Sequence, residues 1–196
     1  MISVNKRTGV DKPAILSSTV CTNKIDEVIA NPGTVVVRDM YNNPEVKESL
    51  EEVHGKKCVY CESYIKPASW YRVDHYRPKK HIKEIPKKDH KGYYWLSLEW
   101  TNLLLSCEVC NGNKSNRFPL MPESYRVPDS GHTHVRLFND VPLSYEKRLL
   151  LHPEYDEVEK YLVFEGTGKV SSPTPKMREE TDMGQTSIRV YGLNRD

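Results

Sequence analysis

Two Cys-x-x-Cys pairs, Cys58/Cys61 and Cys107/Cys110, separated by 45 residues, constrain this chain more than any other feature. A pair at this spacing aims two thiolates at one point, and two pairs complete a tetrahedral sulfur site of the kind that favours zinc. Such a site is closed. With four protein ligands it has no position for water, so the zinc is expected to brace the fold and not to react. The competing readings are buried, unmetallated thiols or a redox motif, which would not need two pairs. The interval exceeds that of the smallest zinc ribbons, so a substantial element must lie between the pairs. Cys21, the fifth cysteine, has no evident partner in sequence and reads as an ordinary core or surface thiol.

Of 196 residues, 37% are hydrophobic and 29% charged, a polar chain with a modest core that a bound metal or partner would help to stabilise. No segment approaches the roughly 18 apolar residues of a membrane helix, and residues 1–7 lack the apolar run of a secretion signal. A soluble, cytoplasmic protein with no membrane partner is expected. The net charge of +2 hides an asymmetry: residues 54–92 hold eleven basic and four acidic side chains, a local +7, so the remainder is near −5. A basic middle in an acidic chain suits a polyanion such as nucleic acid, although charge alone fits a solvated surface equally well.

Local signals place the elements. Residues 23–30 can form a short helix, Asn31-Pro32-Gly33 a turn, and Thr34–Val37 a strand. Asn43 as N-cap, Pro44 at the first helical position and Val46, Leu50 and Val53 on one stripe predict a helix that Gly55 ends. Arg72–Tyr76 reads as a strand stopped by Pro78, His81–Lys91 as a basic irregular insert, and Tyr93–Trp100 as an aromatic helix or turn packed on the core. Leu103–Leu105 is a buried strand leading to Cys107, and residues 111–117 open a helix. Met121–Ser130 reads as loop. A hairpin over 161–170 and a helix from Asp182 to Tyr191, closed by Gly192, complete the chain. Three segments are expected: an N-terminal extension (1–43), a core (44–120) and a C-terminal accessory, partner-docking region (121–196).

Between the knuckles sit Asp74-His75, Asn102 and, directly after Cys110, Asn111. Singly each is bland: a strand histidine is usually a hydrogen-bonded core residue, and asparagine an ordinary cap. Together they fit one chemistry. Asp74 and the Asn111 carbonyl can supply oxygen ligands to Mg²⁺ or Mn²⁺. Neutral His75 can accept a proton from water near neutral pH, and Asn102 can orient its ring. The ion would polarise a scissile phosphate and stabilise the leaving oxygen. Arg77, Lys79, Lys114 and Arg117 are candidate phosphate contacts, with Asn116 beside them. The lysines of the insert suit non-specific attraction. Trp95 and Trp100 fit core packing, and the six histidines other than His75 read as surface or structural. His81 is the most interesting of these, because it lies on the insert.

Cys58-x-x-Cys61, Asp74-His75, Asn102-Leu103 and Cys107-x-x-Cys110-Asn111-x-x-Lys114 resemble the HNH endonuclease motif of the zinc-knuckle type. That resemblance implies an α+β fold. A ββα-metal core with a four-cysteine zinc site would be surrounded by helices and a C-terminal β-hairpin. It makes His75 the general base, Asp74 and Asn111 the catalytic-metal ligands, and Asn102 the residue that orients His75. Asn111 stands where many members carry a final histidine, and keeps an oxygen ligand. Tyr60-Cys61-Glu62, residues 73–79, Tyr94-Trp95-Leu96, residues 99–104, 116–120 and 150–153, and Tyr191-Gly192-Leu193-Asn194-Arg195 are similar to one HNH group. It includes the nuclease subunits of Septu-type bacterial defence systems and of some retrons. The likeness implies an anti-phage role beside an ABC-type ATPase subunit. In that group Gly-Leu-Asn-Arg leads into further helix, so a chain ending at Asp196 is expected to be shortened.

DNA is the favoured substrate, with RNA or tRNA cleavage by the same fold left open. A zinc-dependent nucleic-acid-binding module without catalysis is the reading from another class, and it would not need Asp74, His75 and Asn111 in register. A protein-docking zinc adaptor would normally bind two ions, more than these ligands readily supply.

Overall fold

The Arg72–Tyr76 pattern and the apolar run before Cys107 become one antiparallel pair, β1 (Tyr71–His75) and β2 (Leu103–Cys107), in register from Tyr71 opposite Cys107 to His75 opposite Leu103. The structure is a computed structural model that describes residues 1–6, 11–65, 71–86, 89–130, 133–134, 137, 140–173 and 182–195. Lys66, Lys87, Lys88 and His132 lie outside the described residues. Leu103, Leu104 and Leu105 are all fully buried, because β2 contacts α3 (Pro44–Val53) and also α4 (Glu108–Lys114), which packs on β1 as well. A strand covered on both faces has no polar side to alternate with.

The helix α3 begins as its sequence demands. The Asn43 side chain accepts from the Glu45 amide at 3.0 Å, Pro44 opens the first turn, Val46 and Leu50 are fully buried, and Gly55 takes a left-handed φ of 60°. Upstream, α1 (Thr19–Ala30) is longer than its sequence suggests. Ser18 caps it by accepting from the Cys21 amide, and Cys21, Ile25 and Val28 form its buried stripe, so Cys21 is a core thiol. Thr34–Val37 is not a strand. No ladder partner is present among the described residues, Val36 is 72% exposed, and the chain turns through Gly33 into the short α2 (Arg38–Tyr41). β-Branched residues favour strands only where a sheet receives them.

Tyr94–Leu96 and Trp100–Asn102 form single 3₁₀ turns that sink Trp95 and Trp100 into the core. One such turn, Glu123–Tyr125, interrupts the expected loop over Met121–Ser130. The C-terminal hairpin is short, β3 (Val163–Phe164) with β4 (Val170–Ser171). The helix α5 (Met183–Tyr191) is capped by Asp182, closes on Gly192 in the left-handed region, and packs on α4 and β4. Together these give a mixed α+β fold, and no helix among the described residues is long and apolar enough to cross a membrane.

The chain start is stapled to this frame. Lys6 Nζ donates to the carbonyls of Trp100 and Leu103, both at 2.7 Å, and pairs with Glu154 at 3.1 Å. Nearby, burial pushes His54 down to about 3, with the Lys6 charge adding to it, and burial likewise lowers His152 and His90. An unfolded imidazole titrates near 6.5, so below that pH the unfolded chain binds protons that the folded chain refuses. The contribution of these histidines is therefore fully present above about pH 6.5. For His54 the loss is about 1.4 kcal/mol per pH unit below 6.5, with His152 and His90 acting in the same direction and Glu154, raised to about 7 by burial, opposing them. Urea unfolding at pH 7.5, 6.5 and 5.5 tests this, and a midpoint independent of pH over that range would refute it.

Candidate active site and metal centre

The first knuckle is a tight turn after α3. Lys56 and Glu62 take positive φ, the Glu62 amide donates to the Cys58 carbonyl, and the Val59 amide bonds the Leu105 carbonyl at 3.0 Å. The second knuckle runs from the end of β2 into α4, where the Cys107 sulfur caps the helix by accepting from the Cys110 amide at 3.4 Å. All four sulfurs lie within 4.8 Å of one another, with Cys61 and Cys107 at 3.9 Å. A zinc–sulfur bond of about 2.3 Å in a tetrahedron places sulfurs about 3.8 Å apart. The cluster can hold a metal ion such as zinc. Arg195 Nη1 approaches Cys110 Sγ at 3.3 Å and would offset thiolate charge.

Helix α4 starts at Glu108, earlier than the sequence suggests, and ends at Lys114. Cys110 and Lys114, one turn apart, both point inward and are fully buried, while Asn111 is half-buried at the cleft. Lys114 Nζ lies 3.1 Å from Asp74 Oδ2 and 2.6 Å from the His75 carbonyl. The same carboxylate oxygen of Asp74 accepts from the Tyr60 hydroxyl. Tyr60 lies in the first knuckle and its ring stacks on Tyr191 at 3.9 Å, so the sulfur cluster is tied directly to Asp74.

His75 is held at both nitrogens. Nε2 lies 2.9 Å from the Ser97 carbonyl, which can only accept, so Nε2 carries the proton and Nδ1 keeps a lone pair. That lone pair faces Lys79 Nζ at 3.1 Å. Burial, with the Lys79 charge adding to it, holds His75 well below the usual imidazole range, so it is neutral at pH 7. Burial also brings Lys79 down to about 8, against the pull of Asp74.

Asp74, His75, Lys79, Asn111 and Asn116 line one cleft of about 700 Å³, and its other wall includes Arg38 and Tyr41. A carboxylate and an amide oxygen sharing a cleft with a neutral imidazole form a hard-donor set beside a base. Such a set can bind a divalent cation and take a proton from water.

Several expected site residues are placed otherwise. The side-chain hydrogen bonds of Asn102 go to groups other than the His75 ring: it donates to the carbonyls of Arg77 and Leu96 and accepts from the Arg77 amide, bracing the chain just after His75 and just before Ser97. Lys114 is spent on Asp74 and the His75 carbonyl, and a buried ammonium cannot also reach an incoming phosphate. Arg117 is exposed beyond the helix and does not line the cleft, and neither does His81. Arg77 is core: it is 2% exposed, pairs with the fully buried side chain of Glu146 at 2.8 Å and donates to the Leu143 carbonyl. Glu146 also accepts from Tyr93 and the Val127 amide, so it stays buried if Arg77 is removed. Arg77→Met is expected to cost about 3–5 kcal/mol of stability in urea unfolding. A variant of wild-type stability would show that Glu146 finds another partner.

Sequence reading had no signal for Tyr41 or for the Ser97 carbonyl. Tyr60 was visible only as a residue of the knuckle.

Three curated relatives are similar to this chain. Septu protein PtuB of Bacillus mycoides (strain KBAB4) is 37% identical over 160 residues, 80% of this chain and 49% of that protein. The chain is homologous to Septu protein PtuB. A second PtuB, of Bacillus thuringiensis, is 32% identical over 105 residues, 51% of this chain and 35% of that protein. Septu protein PtuA of the same Bacillus mycoides strain is 30% identical over 152 residues, 76% of this chain but 19% of that protein. The chain thus spans half or less of the length of each. No protein-family model matches it, and no solved structure does.

Proposed function

We propose that the chain is an HNH-type endonuclease, braced by zinc at Cys58, Cys61, Cys107 and Cys110, that hydrolyses nucleic-acid phosphodiester bonds within a Septu-type anti-phage system. The observation that carries this reading is His75, neutral and fixed with Nδ1 as acceptor, in one cleft with Asp74 and Asn111. A Mg²⁺ or Mn²⁺ ion held by Asp74 and Asn111 would polarise the scissile phosphate and stabilise the leaving oxygen. His75 Nδ1 takes the proton of the attacking water once Lys79 turns away from it. Lys114 and Tyr60 hold the Asp74 carboxylate in place from the far side. DNA is the favoured substrate, and Lys79 and Lys80, which line the cleft, suit either polymer.

Homology to Septu proteins of both names supports an assembly role. An ABC-type ATPase subunit is the proposed partner. Large apolar side chains exposed in the C-terminal half, among them Met121, Tyr125, Val141, Tyr145 and Phe164, are available to such a contact.

Plasmid DNA and total tRNA incubated with the protein in Mg²⁺ or in EDTA, with and without the ATPase subunit, test the reading. Metal-dependent cutting of one polymer is expected. If neither is cut even with the partner present, while nucleic acid and zinc are still bound, the protein is a binding module.

A further inference from the structure

The cleft has a second wall that the nuclease motif does not supply. It is built by Val28 at the end of α1, residues 33–38, and Tyr41 and Asn42. This wall is in contact with the proposed chemistry: the Tyr41 ring meets the His75 imidazole edge-on, with centroids 4.7 Å apart and planes at 88°. Lys79 Nζ sits 4.5 Å from the Tyr41 ring centroid and 3.1 Å from His75 Nδ1, beside both rings. Three residues before Tyr41 on α2, and so on the same side of that turn, Arg38 is exposed and lines the cleft.

The charge of the lining is one-sided. Arg38, Arg72, Lys79 and Lys80 face a single acid, Asp74. Arg72 is engaged with Glu108 at 2.8 Å and Lys79 with His75, and Asp74 is held by Lys114 and Tyr60. Arg38 therefore brings a planar, permanently charged group to the wall opposite β1. A cleft lined by four cations and one acid, with an exposed guanidinium among them, is suited to a polyanionic strand and unsuited to a neutral or cationic ligand.

We infer that residues 33–42 form the second wall of the substrate groove, and that Arg38 grips the sugar–phosphate backbone of the strand beside the bond to be cut. This rests on the nuclease reading and adds to it a binding residue in a segment that the motif leaves out. Guanidinium matches phosphate with two parallel hydrogen bonds, a contact that positions the strand without reading its sequence.

The test is equilibrium binding of fluorescein-labelled 20-nucleotide DNA, single-stranded and duplex, and of the matching RNA, to the full chain in EDTA across a salt series. The wild type is compared with Arg38→Gln, Arg38→Lys and Lys169→Gln, the last an exposed lysine outside the cleft. Each neutralised phosphate contributes about 0.7–0.9 to the slope of log K against log salt. Arg38→Gln is expected to lower that slope by about one and to weaken binding on all sequences alike. Arg38→Lys should restore most of the slope, and Lys169→Gln should leave it unchanged. A thermal melt of each variant confirms the fold. If the wild type binds and Arg38→Gln matches it in affinity and slope, the wall is not a backbone contact and the nuclease reading survives alone. If the wild type neither binds nor cuts any of these polymers, both fail together.

Discussion

Cys110→Ser is expected to abolish the cooperative thermal transition, and stripping the wild type with a strong chelator should do the same until zinc is returned. Four sulfurs within 4.8 Å cannot all be thiolates without a cation, and Cys58 and Cys110 are fully buried. Structural zinc contributes about 10–16 kcal/mol in small metal-bound folds, comparable to or larger than the 5–15 kcal/mol that separates folded from unfolded chains. The loss should spread beyond the knuckles. Tyr60 joins the first knuckle to Asp74, the Cys107 sulfur caps α4, and α4 carries Lys114 and Asn111. Metal analysis should find one zinc per chain, and circular dichroism should follow the melt. An apo protein that unfolds cooperatively at the wild-type midpoint would show that the sulfurs pack without needing a metal.

What could be read from the sequence was encoded locally. The cap Asn43-Pro44 with Gly55, the helix closed by Gly192, the turn at Asn31-Pro32-Gly33 and the cysteine spacing each announce themselves within a few residues, and each appears in place. Arg77 shows why the rest was hidden. An arginine two residues after Asp74-His75 looks like a phosphate ligand by type, but Glu146, 69 residues later, draws it into the core. The start of α4 failed for another reason. Cysteine is a poor cap by residue type, yet the Cys107 sulfur accepts the Cys110 amide, which moves the helix start ahead of Asn111 and puts Lys114 in the interior. His75 takes its orientation from a carbonyl 22 residues away, and a carbonyl leaves no mark in a sequence. The wall at Arg38 and Tyr41 is hidden for the same cause: it is a tertiary contact of residues that no local pattern marks, just past the stretch Thr34–Val37 read as a strand.

His75→Ala should lower single-turnover cleavage by about 10²–10⁴-fold, the range for loss of a positioned general base. The geometry assigns the role to one nitrogen. Ser97 fixes the proton on Nε2, and Nδ1 is left to accept, first from Lys79 and then from water. Because burial depresses His75 well below 6.5, the imidazole is already in its accepting form at neutral pH. Protonation would abolish that form only at lower pH, so wild-type cleavage measured with the fold intact should hold level down through pH 6.5. A rate falling with an apparent pKa at or above 6.5 would contradict a desolvated base. A fold check separates the two ways that activity can fail. His75→Ala removes a ring packed against Tyr41 but leaves the Lys114 contact to the residue-75 carbonyl, so a melt should still be cooperative. If the folded variant cuts within about threefold of wild type, well short of that loss, the proton goes elsewhere and His75 is a core residue.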